Sequence, residues 1–470
     1  MRGASLDAAA LKIVHVCGWY FPDSLGGTEA YVEAVTDRLR AAGHEVLIAA
    51  PEPGAEAPRG YDHRYIPIFR YPIAAEPTRA EAQHVVPVRG AEYLHAWLSE
   101  IRAEVVHFHT FVTGVGPHEI RAARATGARV IVTTHAGSLG FLCQRGTMMR
   151  WGRGLCDGTV TPAKCAACEL QHRGLARPAA DLIGLIPPLV GRAARLMPGR
   201  VGTVLGMSDL IARNQELQRR MLADVDAFVV LTDWARDVVT SGATPGATIV
   251  VNRLGVRASA GDLRRWKALP PKPVSSPLRI AYLGRFEAIK GVHDLARAIA
   301  ALGRSAPIRF EFRGPVSHMG ELEIVNELKA IVGPDARVTF GDRIDSAYIF
   351  EYLRDVDLLC CPSRTLEGGP TVALEAMAVG TPVIGTQLGA LAEIIQDGVN
   401  GRLVPPADWR ALAAALKEIA SNAAEIIPRW RAALPPMRSM DEVVDDYVRL
   451  YAPQAEQKSG VTMRAVLPHS

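Results

Sequence analysis

The chain has 470 residues, of which 49% are hydrophobic and 22% are charged, a composition typical of a globular protein with more than one core. Its 53 basic and 49 acidic side chains give a formal net charge of +4, which is too small to predict a nucleic-acid partner. The first ten residues lack the apolar stretch of a signal peptide, and no window of about 18 uninterrupted apolar residues occurs. We therefore expect a cytoplasmic protein with reduced cysteines.

The chain opens with a strand, a glycine-containing loop, a helix and a second strand. Residues 12–18 form an apolar run, the loop 19–27 ends in Gly26 and Gly27, and helical periodicity follows from Thr28. This order predicts a Rossmann-like unit. The double glycine at the start of a helix is suited to an anion or a sugar. The absence of G-x-G-x-x-G argues against a nicotinamide site.

Two histidines follow predicted strands further along this half. The apolar runs 105–109 and 130–134 predict strands, with His109 at the end of the first and His135 directly after the second. Ligands of open α/β sheets bind at the carboxyl ends of the strands, so both histidines are candidates for contact with a ligand. For each one, the alternative is a loop histidine bonded only to the backbone.

Four cysteines lie within 26 residues, and the last two form a C-x-x-C pair. In a reducing compartment this grouping favours a structural zinc site over disulfides. The surrounding segment, about 137–175, is too poor in apolar residues to form its own core, so a metal would supply folding free energy. A redox pair or a chance grouping is the alternative. The cysteines are Cys143, Cys156, Cys165 and Cys168.

The segment 179–207 is apolar, carries several arginines and is interrupted by prolines. Two interpretations are open: helices that pack on the sheet, or an amphipathic surface that contacts a membrane or a lipid-linked molecule. Residues 257–277, which include the run PPKPVSSP, then predict a stiff linker without periodicity. After it the strand–loop–helix order recurs, and Arg285 and Lys290 place two cations in the new loop.

The most informative stretch is SRTLEGGPTVALEAMAVGTPVI, residues 363–384. It predicts a glycine loop, a helix with proline at its first position, and then a strand. The unpaired N–H groups at the helix start form an anion site, which is flanked by the carboxylates of Glu367 and Glu375. The residues predicted at this site are Gly368, Gly369, Pro370 and Thr371.

The spacing E-x7-E around the double glycine, followed by AMAVGTPVI, resembles the donor site of retaining glycosyltransferases with the GT-B fold, and most closely those of family 4. The resemblance implies an α/β protein with two Rossmann-like domains facing each other across a cleft, and a C-terminal helix that crosses back to the first domain. It also implies transfer of a sugar from a nucleotide-diphosphate sugar to an acceptor hydroxyl with retained anomeric configuration. Polysaccharide, glycolipid or other glycoconjugate biosynthesis is the expected setting.

The resemblance also divides the chain. The expected parts are an N-terminal acceptor-side domain (1–256, with the cysteine-containing insertion at about 137–175), a linker (257–277), a C-terminal nucleotide-sugar domain (278–436), a returning helix (437–455) and a tail (456–470).

Roles for single residues follow from the same resemblance. His135 is expected to contact the donor sugar, Glu367 to lie beside its ring, and Glu375 to bind the ribose hydroxyls. His109 is a candidate for contact with the acceptor or the sugar. The residues expected to be catalytic are His135, Arg285, Lys290 and Glu367. The further donor-binding residues are Gly26, Gly27, Gly314, Gly368, Gly369, Pro370 and Thr371.

No cofactor is predicted for catalysis, because two cations replace a divalent ion and no convincing Asp-x-Asp occurs. The expected partners are a UDP, GDP or ADP sugar and a sugar or lipid-linked acceptor, with peripheral contact at the inner face of a membrane. Two alternatives stay open: a sugar-nucleotide epimerase with the same fold, and a non-catalytic sugar-nucleotide-binding protein organised by the cysteines.

Overall fold

The computed structural model describes residues 10–23, 26–135, 143, 145–151, 154–242 and 246–452, which form two α/β units. The predicted tail at 456–470 and most of the residues directly after His135 lie outside this description. In the described part of the chain, no helix is both long and apolar enough to cross a membrane.

The first unit is built on a mostly parallel sheet. Its strands are β1 (Lys12–Val16), β2 (Glu45–Pro53), β3 (Arg59–His63), β4 (Ile66–Ile73), β5 (Val105–Phe108), β6 (Arg129–Thr133), β7 (Met149–Arg150), β8 (Gly154–Leu155), β9 (Ala227–Val230) and β10 (Ile249–Val251). Eight of them form the order β10-β9-β6-β5-β1-β2-β4-β3, in which only β3 is antiparallel to its neighbour. The remaining two, β7 and β8, form a separate antiparallel pair.

The described part of this unit has ten helices, and some of them cover the two faces of the sheet. The ten helices are α1 (Gly27–Ala41), α2 (Arg79–Ala82), α3 (Ala91–Ile101), α4 (Pro117–Ala125), α5 (Pro162–His172), α6 (Arg177–Gly184), α7 (Pro188–Ala194), α8 (Gly199–Leu205), α9 (Met207–Asp224) and α10 (Asp233–Gly242). Successive side chains of β1 point into different cores, Val14 and Val16 into one and Ile13 into the other. Burial on both faces explains why these strands are continuous apolar runs.

The second unit repeats the plan with a fully parallel sheet. Its strands are β11 (Leu278–Leu283), β12 (Ile308–Arg313), β13 (Val338–Gly341), β14 (Leu358–Cys361), β15 (Val383–Thr386) and β16 (Gly401–Val404), in the order β13-β12-β11-β14-β15-β16. The helices from the connecting segment onwards are α11 (Ala260–Lys267), α12 (Val292–Ala301), α13 (Met319–Val332), α14 (Ile349–Asp355), α15 (Thr371–Ala378), α16 (Gly389–Ile394), α17 (Trp409–Ser421), α18 (Ala423–Ala432) and α19 (Met440–Tyr451), with short 3-10 turns at Ala288–Lys290 and Ser346–Tyr348.

The segment expected to be a linker without periodicity contains a helix, α11. Ser259 caps it by accepting a hydrogen bond from the Asp262 N–H, and the Asp262 carboxylate accepts one from the Ser259 N–H. This capping box stabilises a short helix locally. The apolar side of α11 consists of Leu263 and Trp266, which are partly buried in a small apolar cluster. Two residues are too few to show helical periodicity in the sequence.

One of the two interpretations of the apolar segment after α5 was that its helices pack on the sheet. Among the described residues, the structure does not show this packing. Helices α6, α7 and α8 of this segment pack against α5 and α9. They do so through small residues, while large apolar side chains such as Leu189 and Leu196 are 80% and 87% exposed. The buried small residues are Ala180, Gly184, Gly191 and Gly202.

The last helix, α19, crosses back to the first unit, as predicted. The Tyr447 hydroxyl lies 3.0 Å from both the Tyr31 hydroxyl and the Thr133 hydroxyl. The Tyr451 hydroxyl lies 2.7 Å from Nδ1 of His107. Since all five side chains are buried, these bonds join α19 to the core of the first sheet.

Candidate functional site

The loops after β11 and β14 meet at one edge of the second sheet. Ala281 of β11 pairs with Leu359 of β14, so the residues that follow these two strands lie side by side. Lys290 Nζ, from the first loop, is 2.9 Å from Glu367 Oε1, from the second, and both side chains are largely buried. The Ser363 hydroxyl also donates to this carboxylate. The structure thus brings two of the predicted catalytic residues into one ion pair.

The start of α15 lies directly after this pair. Pro370 is the N-cap and Thr371 the first helical residue, so the helix begins one position later than predicted. Pro370 has no N–H, and no side chain caps the helix. An uncapped helix start presents backbone N–H groups and a partial positive charge to an anion.

Gly368 and Gly369 pack closely against the first unit. A Cβ on Gly368 would lie 2.7 Å from Cδ1 of Leu231, and one on Gly369 would lie 3.0 Å from Cδ1 of Leu254. Gly369 also has φ of 143°, which disfavours any other residue. These glycines therefore allow the loop of residues 363–370, named the donor loop after its predicted role, to contact the opposite domain.

Glu375 is almost fully buried within α15 and is paired with an arginine from the connecting segment. The Nε and Nη2 atoms of Arg257 lie 3.2 and 3.0 Å from Glu375 Oε1. Sequence reasoning missed Arg257, because these two residues are 118 positions apart and nothing local marks the arginine. The positive charge of Arg257 compensates the negative charge of this buried carboxylate beside the cleft.

Arg285 does not share the carboxylate partner of Lys290. Its side chain is 61% exposed and pairs with Glu287 at 2.7 Å, so it lies at the rim of the site. Gly314 supports the same loop: a Cβ there would lie 2.1 Å from the carbonyl oxygen of Gly284. The predicted contact of Gly314 with a nucleotide base stays a prediction.

His135 ends a chain of three histidines that begins in the core. Its Nε2 is 3.3 Å from Nδ1 of His109, whose Nε2 is 2.8 Å from Nδ1 of His15. Thr133 pairs with Val229 across β6 and β9, which places His135 beside Leu231. Because Leu231 contacts Gly368, His135 lies across the cleft from the donor loop.

His109 is fully buried, so none of its surface is open to a ligand in this structure, and its predicted contact with the acceptor or the sugar stays a prediction. It is enclosed by His15, His107 and His135. Burial lowers the pKa of His135 to about 4 and that of His109 well below its usual value. Both imidazoles are therefore neutral at pH 7.

Gly26 and Gly27 lie at the start of α1 in the first unit. Gly26 is the N-cap, and a Cβ on it would lie 2.3 Å from Glu29 Oε2, whereas a Cβ on Gly27 would have open space around it. The space at Gly27 is compatible with a ligand. The donor-binding role of both glycines stays a prediction.

Glu393, at the second domain, caps a helix of the first. Its two carboxylate oxygens accept hydrogen bonds from the N–H groups of Asp233 (3.2 Å) and Trp234 (2.9 Å) at the start of α10. With the glycine contacts, this cap holds the two sides of the cleft together.

The four cysteines line one cavity of about 30 Å³. Cys165 and Cys168 are one turn apart on α5, Cys156 directly follows β8, and Cys143 lies in a loop. None forms a disulfide with a cysteine of the described chain. The structure thus places all four predicted ligands around the same small space.

A mostly parallel α/β domain, a fully parallel one and a C-terminal helix that returns to the first domain together make up the GT-B architecture. Sucrose-phosphate synthase from Thermosynechococcus elongatus is similar in structure, with a TM-score of 0.61, 18% identity and coverage of 95% of this chain and 100% of that one. HepE from Anabaena, solved with UDP and glucose, has a TM-score of 0.58 at 14% identity, covering 94% of this chain and 99% of its own.

Sequence comparisons match two parts of the chain to known families. Residues 277–422 match the model of the group 1 glycosyl transferases, and residues 25–190 match that of glycosyltransferase family 4. The D-inositol 3-phosphate glycosyltransferase of Streptomyces coelicolor is 26% identical over 89% of this chain and 85% of its own length. The glycogen synthase of Mycobacterium tuberculosis is 31% identical over 45% of this chain. The matched region covers only 50% of the length of that enzyme. The two halves of the chain are thus similar to the group 1 glycosyl transferases and to glycosyltransferase family 4.

Proposed function

We propose that the chain transfers a sugar from a nucleotide-diphosphate sugar to an acceptor hydroxyl and retains the anomeric configuration. The observation that carries this proposal is the Lys290–Glu367 ion pair at the uncapped start of α15, across the cleft from His135. An ammonium group and free N–H groups at one point stabilise the charge that develops on a leaving diphosphate. Arg285, at the rim, is the second cation that reaches the phosphates.

Glu375 is proposed to bind the ribose of the donor. Both hydrogen bonds from Arg257 end on Oε1 of its carboxylate, which leaves Oε2 as the acceptor for a ribose hydroxyl. Since Glu375 is only 2% exposed, these two hydrogen bonds fix the position of its carboxylate. A preformed acceptor of this kind selects a ligand that can donate to it.

The histidine chain is proposed to set the tautomer of His135. Within the described residues, Nε2 of His15 has no hydrogen-bond partner, and a buried acceptor without a partner is tolerated better than a buried N–H. Nε2 of His15 is therefore the acceptor nitrogen, so Nδ1 of His15 donates to His109, and His109 donates to His135. His135 then has Nδ1–H as a donor for a sugar hydroxyl.

Retention is proposed to proceed without a carboxylate nucleophile. Glu367 is held by the Lys290 ammonium and the Ser363 hydroxyl, and a carboxylate bound to a cation is a poor nucleophile. The leaving phosphate takes the proton of the acceptor hydroxyl while that oxygen forms the new glycosidic bond on the same face. Lys290 and α15 stabilise the phosphate throughout this step.

The exposed apolar surface of α6–α8 is proposed to contact an anionic membrane surface, where a lipid-linked acceptor would be presented. Leu189 and Leu196 are exposed, and so are Arg192 on α7 and Arg200 on α8. This combination favours the interface of an anionic bilayer. Cosedimentation with vesicles that contain phosphatidylglycerol, but not with phosphatidylcholine alone, is expected; a Leu189→Glu/Leu196→Glu variant that still cosediments would contradict the proposal.

Incubation of the purified chain with UDP-, GDP- and ADP-sugars tests the proposed activity. We expect release of one nucleotide, accelerated by a suitable acceptor, and a product whose anomeric proton coupling matches that of the donor in NMR spectra. Interconversion of the intact nucleotide sugar without nucleotide release would instead identify an epimerase.

A further inference from the structure

The cysteine segment contacts the loop that carries Glu367. The Thr365 hydroxyl donates to the carbonyl of Gly146 at 3.2 Å, and the Leu366 N–H donates to the carbonyl of Thr147 at 3.0 Å. Glu367 is the next residue. Whatever fixes Gly146 and Thr147 therefore also fixes one side of the donor loop.

Apolar burial does little to fix this segment. Among the described residues of 143–160, Met148 and Met149 are the only buried hydrophobic side chains, and the regular structure consists of two strands of two residues each. The nearest apolar cluster is formed by residues of α5, α6, α8 and α9 and the loops beside them. A segment with so small a core needs another source of stability.

The surroundings of the cysteines are suited to a bound divalent cation with four thiolates. Such a site has a net charge of −2, and Arg145 and Lys164 line the same cavity. Nη1 of Arg145 lies 3.9 Å from the sulfur of Cys168. The Cys156 thiol lies 3.7 Å from Asp157 Oδ1, and Lys164 pairs with the same carboxylate. Cations beside the sulfurs offset part of the negative charge of such a site.

We propose that the four cysteines bind one Zn²⁺ ion, and that this ion holds the segment that packs on the donor loop. The ligands are Cys143, Cys156, Cys165 and Cys168. Binding releases one proton from each thiol and forms four Zn–S bonds of about 2.3 Å. Within the described chain, no three of these sulfurs lie within 4.8 Å of one another, so the ion draws them together as it binds. Four sulfur ligands leave no position for water, so the site is structural.

Metal content tests the site itself, independently of the proposed function. In chain purified under reducing conditions without chelator, mass spectrometry of the metals should give one zinc per chain. Cys156→Ser and Cys168→Ser should lower the content at least fivefold, whereas Cys17→Ala, at a buried cysteine outside the site, should not. Replacement by Co²⁺ should give the visible bands of a tetrahedral thiolate site. The assignment would be overturned if the purified chain held iron in place of zinc. It would also be overturned if the chain held no metal as purified and its four thiols reacted freely.

Trypsin tests the structural role without relying on the cysteine variants to fold. Cleavage after Arg145 and Arg150 should become at least tenfold faster when zinc is removed by a chelator, and adding Zn²⁺ alone should restore protection. Equal cleavage with and without zinc would overturn the role. The link between the zinc site and the donor loop rests on the proposed function. If this link holds, UDP, or whichever nucleotide stabilises the parent chain, should bind at least tenfold more weakly after zinc is removed. Unchanged nucleotide affinity would overturn that link alone.

Discussion

Lys290→Met is the substitution that most directly perturbs the proposed donor site. Lys290 and Glu367 are 2.9 Å apart with side chains 24% and 16% exposed. A hydrogen bond from a cation to a charged partner contributes about 1.5–3 kcal/mol net, and a lost transition-state donor costs about 2.7–4 kcal/mol. Because the substitution also leaves the Glu367 carboxylate unpaired beside a diphosphate, we expect kcat/KM to fall by about 10²–10³-fold.

Nucleotide release under subsaturating donor gives kcat/KM directly. The matched control is Lys12→Met, which removes the ion pair of Lys12 with Glu45 at the start of β1 and should leave turnover unchanged. The double variant Lys290→Met/Glu367→Gln removes the unpaired carboxylate and should be less impaired than the product of the two single effects. A Lys290→Met enzyme within twofold of the parent would refute the reasoning.

Three further predictions concern the supports of the site. Arg257→Ala leaves the buried Glu375 carboxylate without its cation, so the free energy of unfolding should fall by about 2–4 kcal/mol. In urea titrations, the double variant Arg257→Ala/Glu375→Gln should recover much of this loss. Burial lowers the pKa of His15 from 6.5 to about 3, so the unfolded chain binds a proton between pH 7 and 5 that the native chain does not, and the free energy of unfolding falls as the pH falls. His15→Asn should lose about 2 kcal/mol less than the parent over that interval, and equal losses would contradict the assignment. Gly368→Val would place its side chain against Leu231 and should weaken donor binding with little change in melting temperature. Gly303→Val, where the nearest atom to an added Cβ is Ser305 Oγ at 3.9 Å, tests whether a bulky residue at a glycine is harmful in itself.

The donor loop could be predicted from sequence because its signals are local. The double glycine, the proline and the helical spacing that ends in a strand all lie within residues 363–384, and the structure has a loop, a helix and a strand there. The Lys290–Glu367 contact joins loops of adjacent strands, so the fold class was sufficient to suggest it.

The supports of the site could not be predicted, because strand order and domain contact create them. His15 and His109 are 94 residues apart, and they meet only because β1 and β5 are neighbours in the sheet. The same strand order buries His109, which looked like a ligand-binding residue at a strand end. Arg257 was hidden in a segment interpreted as a linker, and the capping role of Glu393 requires the two domains to face each other.

The central claim is that the cleft binds a nucleotide sugar through Lys290 and the start of α15. The most direct measurement is the melting temperature of the purified chain, and of Lys290→Met, with UDP-, GDP- and ADP-sugars at increasing concentration. Preferential binding to the folded state raises the melting temperature. The sugars of one nucleotide should therefore raise the melting temperature of the parent, and they should raise that of Lys290→Met much less. If none of them shifts the parent, or if Lys290→Met responds as the parent does, the cleft is not the donor site described here.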